Sequence, residues 1–169
     1  VKQKTVATDA KSDIINQARS LEMFNDYGVP DDSPITAERI VEELSRSDIG
    51  RQTLDDIENL PERIRISFED HFDGIRGEES GGAITIYLKN CKDNYWAARS
   101  VIHEVTHWKY GISQSQWAES VCVAQELKHA RNRDYLTFSE KRTIIKAVKK
   151  AYPEFNWKKG GYVYGRKNK

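Results

Sequence analysis

The chain has 169 residues, of which 38% are hydrophobic and 31% charged, and its formal net charge is +1. This length suits a single domain with its own core, and the composition excludes collagen-like and low-complexity chains. No apolar run approaches the roughly 20 residues of a membrane span.

The charge is divided along the chain. Residues 1–80 hold 10 Lys and Arg against 19 Asp and Glu, whereas residues 81–169 hold 17 against 7. We expect the two halves either to pack against each other or to bind a charged partner.

The N-terminus and the two cysteines bear on processing and redox state. The first 20 residues lack a signal-peptide pattern, and because the chain starts at Val1 we expect a domain cut from a longer precursor, or a processed chain. The two cysteines, Cys91 and Cys122, are compatible with one bridge or with two small apolar fillers, of which we favour the second.

The acidic half is predicted to be mostly helical. Apolar spacing predicts a helix from Ser12 to about Phe24, and the Asp-, Gly- and Pro-rich stretch Asn25–Pro34 predicts a loop. A second helix carries Leu44 and has Thr36 as its N-cap. A third spans about Gly50–Leu60.

The hydrophobic period then changes from helical to alternating. Arg63–Phe68 and Ala83–Leu88 each alternate as half-buried strands do, and an acidic, Gly-containing loop from Asp73 to Gly82 separates them. A loop of this length predicts neighbours in a small sheet rather than a tight hairpin.

Helical patterns dominate the rest of the chain. We expect helices over about Asn94–Gly111, Ser115–His129 and Ser139–Tyr152, the last stopped by Pro153. Residues 154–169 form a basic, aromatic tail. The order of elements predicts an α+β fold.

An HExxH motif lies in the first of these helices. His103 and His107 are four residues apart, so both imidazoles project from one helix face and can bind one zinc ion. Glu104 can accept a proton from a water on that metal. The third ligand is not the histidine of the metzincin pattern, because Ser113 and Tyr110 stand where that pattern needs His and Gly.

The next helix offers three candidates for the third ligand. Glu119 is favoured, because it falls in the first turn after Gly111, where an antiparallel return brings it back over the motif. Glu126 and His129 remain alternatives, and a carboxylate that does not ligate can orient a ligand histidine. Cys122, one turn from Glu119, is expected to pack rather than ligate.

These residues resemble a known group. A strand, a helix with HEVTH, a turn and a helix with an early Glu are similar to a gluzincin-type zincin metallopeptidase. The stretch Trp117–Leu127 is similar to the segment after HExxH in compact bacterial zincins such as the ImmA/IrrE group, from which Cys122-Val123 departs. The size and basic C-terminal end also resemble metallopeptidase toxin domains of bacterial polymorphic toxins and secreted effectors. The likeness covers about residues 82–130.

The resemblance implies a zincin-like fold, a small twisted sheet with an active-site helix and flanking helices. It implies one metallopeptidase domain over 1–169, with an acidic N-terminal part (1–80), a catalytic core (81–153) and the tail (154–169). The expected activity is a Zn²⁺-dependent endopeptidase with Glu104 as general base. Expected partners are a protein or peptide substrate and an immunity or inhibitor protein, with no membrane. The expected location is secretion or delivery into a target cell within a larger protein, or otherwise the cytoplasm.

Further roles follow from the same resemblance. The strand Ala83–Leu88, with Ile84 and Ile86, would be the edge strand that pairs with an extended substrate. Tyr162 and Tyr164 are the first candidates to stabilise the oxyanion, with Tyr110 and His129 also available; packing tyrosines are the simpler interpretation. The charge division adds a separate expectation, that the basic half favours acidic substrates or an acidic inhibitor.

Two alternatives belong to other classes. One is a zincin-fold binding or structural domain in which the metal only holds the helices together. The other is a basic nucleic-acid-binding module, which the interleaved basic and aromatic residues of the tail suggest but no recognised motif supports.

Overall fold

The computed structural model describes residues 19–112 and 115–157. These residues form a mixed α+β fold, as the sequence predicts. The helices are α1 (Ala37–Leu44), α2 (Asp48–Ile57), α3 (Asn94–Tyr110), α4 (Gln116–Arg131) and α5 (Phe138–Ala151). The strands are β1 (Phe24–Tyr27), β2 (Ile64–Ser67), β3 (Gly77–Ser80) and β4 (Ala83–Tyr87).

The four strands form one mixed sheet in the order β1-β2-β4-β3. β1 and β4 each run parallel to β2, with Ile66 of β2 opposite Ile86 of β4, and β3 runs antiparallel to β4. The two predicted strands are therefore neighbours, as expected.

Two strands were missed. β1 lies where we expected a helix end and a loop, and residues 19–22 are the helical part just before it; the predicted start of that helix lies outside the described residues. β3 lies in the predicted acidic loop. Neither strand alternates in hydrophobicity, since β1 buries only Phe24 and β3 holds no apolar side chain. Backbone pairing stabilises these two strands instead, β1 with β2 and β3 with β4.

The expectation that Ala83–Leu88 is an edge strand is wrong. β4 is paired with β2 on one side and β3 on the other, so it has no free edge. Ile84 and Ile86 are 1% and 0% exposed and belong to the core. The acidic segment Gly77–Ser80 forms this edge of the sheet instead, with β1 at the other edge. The turn that joins β3 to β4 contains Gly81 and Gly82, which both adopt positive φ.

Local signals set the helix ends. Thr36 accepts a hydrogen bond from the backbone N–H of Arg39 at the start of α1, as predicted. Ser115 caps α4 in the same way. Gly111 ends α3 with φ 57°, a left-handed conformation that glycine adopts without steric cost. The chain can therefore reverse within a few residues.

The main core lies between the sheet and the helices α1, α2 and α3. The buried side chains Val101, Ile102 and Val105 of α3 pack in one cluster with Ile84 and Leu44. The acidic and basic halves thus share this core. They also share an ion pair between Lys109 and Asp56, 2.7 Å apart.

Within the described residues, no helix is long and apolar enough to cross a membrane. Cys91 and Cys122 are both buried and free, so the bridge that the sequence left open is not present.

Candidate metal centre

The two motif histidines lie on the face of α3 that meets α4. Their ring centroids are 4.9 Å apart, as expected for residues one helical turn apart. His103 contacts Glu126 and Glu119, and His107 contacts Glu119, so the two helices run antiparallel after the turn at Gly111. This arrangement confirms the antiparallel return that the sequence predicted.

The Nδ1 atom of each histidine is held by an acceptor outside the site. Nδ1 of His107 donates to the carbonyl oxygen of Ile112 at 2.7 Å. Nδ1 of His103 lies 2.7 Å from Oε1 of Glu126. Such bonds fix the ring orientation and leave Nε2 to bind a metal.

Both Nε2 atoms converge on the carboxylate of Glu119. Oε2 lies 3.2 Å from Nε2 of His103, and Oε1 lies 3.4 Å from Nε2 of His107. Ligand atoms at 2.0–2.1 Å from a tetrahedral zinc ion are about 3.3 Å apart. Each histidine meets a different oxygen of Glu119, so the carboxylate has to turn before a single oxygen can share a metal ion with both Nε2 atoms.

The other proposed third ligands take different places. Glu126 contacts Nδ1 of His103 and orients that ring. The sequence analysis expected this orienting role for a carboxylate that does not bind the metal itself. His129 is not at the site, since its Nδ1 lies 2.6 Å from Oγ of Ser47 and its Nε2 faces Glu43 at 3.9 Å.

Cys122 is the unexpected member of the cluster. Its sulphur and the ligand nitrogens of His103 and His107 all lie within 4.8 Å of one another. Cys122 and Glu119 therefore compete as third ligand. Glu119 stays the predicted third ligand, because each Nε2 atom lies within 3.4 Å of one of its oxygens. Burial and the neighbouring carboxylates raise the pKa of the Cys122 thiol well above its usual value.

Glu104 is buried beside the histidines. Burial raises its pKa to about 7; His103 opposes this shift, and Glu119 and Glu126 add to it. A carboxylate with a pKa near neutrality can both accept and return a proton. The edge strand passes close by, because a Cβ added at Gly77 would lie 3.1 Å from Cγ of Glu104.

The charges of the ligand residues are strongly coupled. Burial opposes protonation of His103, but hydrogen bonds to Glu119 and Glu126 together with nearby carboxylates raise its pKa to about 10. Burial and the charge on His103 lower the pKa of His107. Burial opposes ionisation of Glu119, yet its bond to His103 brings the carboxyl pKa below its usual value.

Two arginines hold Glu126 in place. Nε of Arg99 lies 3.0 Å and a terminal nitrogen of Arg76 lies 3.4 Å from Oε2 of Glu126. Both guanidinium groups also lie over the ring of Trp96, at 4.3 and 4.7 Å from its centroid. No local pattern predicts this group, because Arg76 and Glu126 lie far apart along the chain.

Tyr152 is a further residue that the sequence analysis missed. Its hydroxyl lies close to the carboxylate of Glu119, and burial together with that carboxylate raises the pKa of Tyr152 above the usual value. It ends α5, its ring stacks on Phe155, and its carbonyl accepts from the side chain of Gln116. Tyr162 and Tyr164 lie outside the described residues, and Tyr110 is half-exposed.

No protein-family model, curated protein or solved structure matches this chain. The chemistry of the site therefore has to be inferred from its own residues.

Proposed function

We propose that this chain is a zinc-dependent endopeptidase with a zincin-like fold. The observation that supports it most is the convergence of both Nε2 atoms on Glu119, with both Nδ1 atoms held from outside. His103, His107 and Glu119 are the three protein ligands, which leaves the fourth position for the reaction.

Glu104 carries the proton in this mechanism. When bound, zinc supplies a Lewis acid at the fourth position. The buried carboxylate of Glu104 accepts a proton from the attacking water and returns it to the leaving amine. The hydroxyl of Tyr152, beside Glu119, donates a hydrogen bond to the oxyanion that develops on the substrate.

The substrate strand of this proposal is β3 rather than β4. Among the described strands, β3 has a partner on one side only, so its other side can pair with an extended peptide. Gly77 brings that edge next to Glu104. Substrate pairing and proton transfer are then adjacent.

Delivery as a bacterial toxin or effector domain, with an immunity or inhibitor partner, is proposed on the sequence resemblance alone. The basic nucleic-acid-binding alternative depended on a tail that lies largely outside the described residues.

A structural zinc site is the second candidate, and the burial of the ligands favours it. The side chain of His103 is only 12% exposed, and His107 and Glu119 are less exposed still. A zinc ion that only joins α3 to α4 would be found at one equivalent in a protein without peptidase activity.

The experiment compares the wild type with Glu104→Gln in zinc analysis and in an untargeted cleavage screen. We expect both to hold one zinc, and the variant to cleave roughly 10²–10⁴-fold more slowly, because it lacks the base. His103→Ala should lose the zinc.

Full activity of Glu104→Gln would refute the mechanism. A zinc-replete wild type that cleaves nothing would favour the structural site instead. One equivalent of zinc retained by His103→Ala would refute the ligand assignment.

A further inference from the structure

Cys122 is a buried thiol next to the two metal-binding histidines. Its sulphur and their ligand nitrogens lie within 4.8 Å of one another, and Cys122 is 0% exposed. We propose that Cys122 is a fourth metal ligand, which closes the site into a His₂-Glu-Cys centre. The inference rests on the proposed zinc site. It concerns the fourth coordination position of the metal, which has to be open for peptide hydrolysis.

The position of Cys122 on α4 suits this role. It follows Glu119 by three residues, so the two side chains are neighbours on the same face of the helix. Cys122 also packs in one cluster with Ile112, whose carbonyl holds His107. The same packing therefore fixes the thiol and one ligand histidine.

The required movement is small. In a tetrahedral zinc site with Zn–S of about 2.3 Å and Zn–N of about 2.0–2.1 Å, sulphur and nitrogen are about 3.6 Å apart. The atoms in the cluster are at most 4.8 Å apart, so they have to approach by no more than about 1.2 Å.

The chemistry of the cysteine side chain also suits a metal ion, since a thiol that binds a metal loses its proton and becomes a thiolate. Thiolate is also a favoured zinc ligand.

A centre closed by Cys122 would be inactive in peptide hydrolysis until its fourth position opens. To open it, the bond between the metal and Sγ of Cys122 breaks, the sulphur takes a proton from solvent, and a water molecule enters the fourth position. The metal stays bound by His103, His107 and Glu119 throughout, with no change in oxidation state. Cys122 thus competes with the attacking water.

Cobalt substitution tests this directly, since a thiolate ligand gives Co²⁺ a near-ultraviolet charge-transfer band that imidazole and carboxylate ligands do not. The wild type, Cys122→Ala, Cys122→Ser and Cys91→Ala are each loaded with Co²⁺. We expect the band in the wild type and in Cys91→Ala, and its loss in both Cys122 variants. Cys91→Ala is the matched control, because Cys91 is the other buried free cysteine.

Absence of the band from Co²⁺-loaded wild type, or its survival in a folded Cys122→Ser variant, overturns the inference. Cys122→Ser keeps the shape of the side chain if the alanine variant fails to fold. We also expect Cys122→Ala to cleave substrate faster than the wild type, since the fourth position is then always open. If the wild type binds one zinc and cleaves substrate but shows no charge-transfer band with Co²⁺, only the role of Cys122 as a ligand is refuted. If the protein binds neither zinc nor cobalt, the proposed function is refuted as well.

Discussion

Replacing Glu126 with Gln tests how the site is held together. Glu126 is 2% exposed, accepts from Nδ1 of His103, and is paired with Arg76 and Arg99. The Gln side chain keeps the size and one acceptor oxygen but removes the charge. We therefore expect the ring of His103 to stay in place and to bind zinc less strongly.

The expected magnitude comes from the contacts. Loss of a carboxylate that orients a ligand histidine costs about 10–100-fold in metal affinity, or about 1.4–2.7 kcal/mol. The variant also leaves two guanidinium groups without their partner. Breaking a fully buried pair costs about 3–5 kcal/mol, but the side chains of Arg76 and Arg99 are 29% and 15% exposed, so we expect about 2 kcal/mol of lost stability.

Zinc affinity is measured by competition with a coloured chelator, and stability by denaturant unfolding of the metal-free protein. Glu126→Asp restores the charge and should recover part of the affinity, while Glu119→Gln removes a ligand and should lose more than Glu126→Gln. Zinc affinity of Glu126→Gln within twofold of the wild type would refute the orienting role. A loss as large as that of Glu119→Gln would show that Glu126 is itself a ligand.

Two further predictions concern protons. In the metal-free protein the pKa of His103 is raised from its usual 6.5 to about 10, so its protonated form stabilises the fold fully below about pH 6.5, and this contribution is lost as pH rises through 10. With chelator present, the melting temperature should fall between about pH 6.5 and 10 more steeply in the wild type than in His103→Gln. An equal fall in both proteins would contradict the raised pKa of His103. Zinc binding displaces this proton, so affinity should rise about tenfold per pH unit towards 10. Tyr152→Phe should lower kcat by roughly 10²–10³-fold at unchanged zinc content, and kcat within twofold of the wild type would exclude Tyr152 from the reaction.

The part of the site that the sequence could predict lies within one helical hairpin. The spacing of His103 and His107, the stop at Gly111 and the early Glu119 are local features, and local geometry determines how they meet. The assignment of Glu119 over Glu126 followed from the same geometry, because the return of the chain brings the first turn of α4 over the motif. Local signals were sufficient here, because both helices are long and their facing ends are marked by Gly111 and by the cap at Ser115.

The rest of the site depends on contacts between distant segments. Arg76 reaches Glu126 across 50 residues, and Tyr152 approaches Glu119 only because α5 packs against α4. The edge strand β3 has no hydrophobic alternation, so pairing with β4 alone makes it a strand. No local pattern carries this information, which explains why the sequence analysis took Ala83–Leu88 for an edge strand.

The charge division of the sequence does not translate into the charge at the site. Its boundary near residue 80 falls in the turn between β3 and β4, so the acidic half supplies the edge strand, and the charge of Glu79 on that strand helps to raise the pKa of Glu104. The same half also supplies Arg76, which joins Arg99 of the basic half on Glu126. A peptide paired with β3 would therefore meet carboxylates first. Because the nearest charges act most strongly, the acidic edge opposes the preference for acidic substrates that the net charge of residues 81–169 suggested.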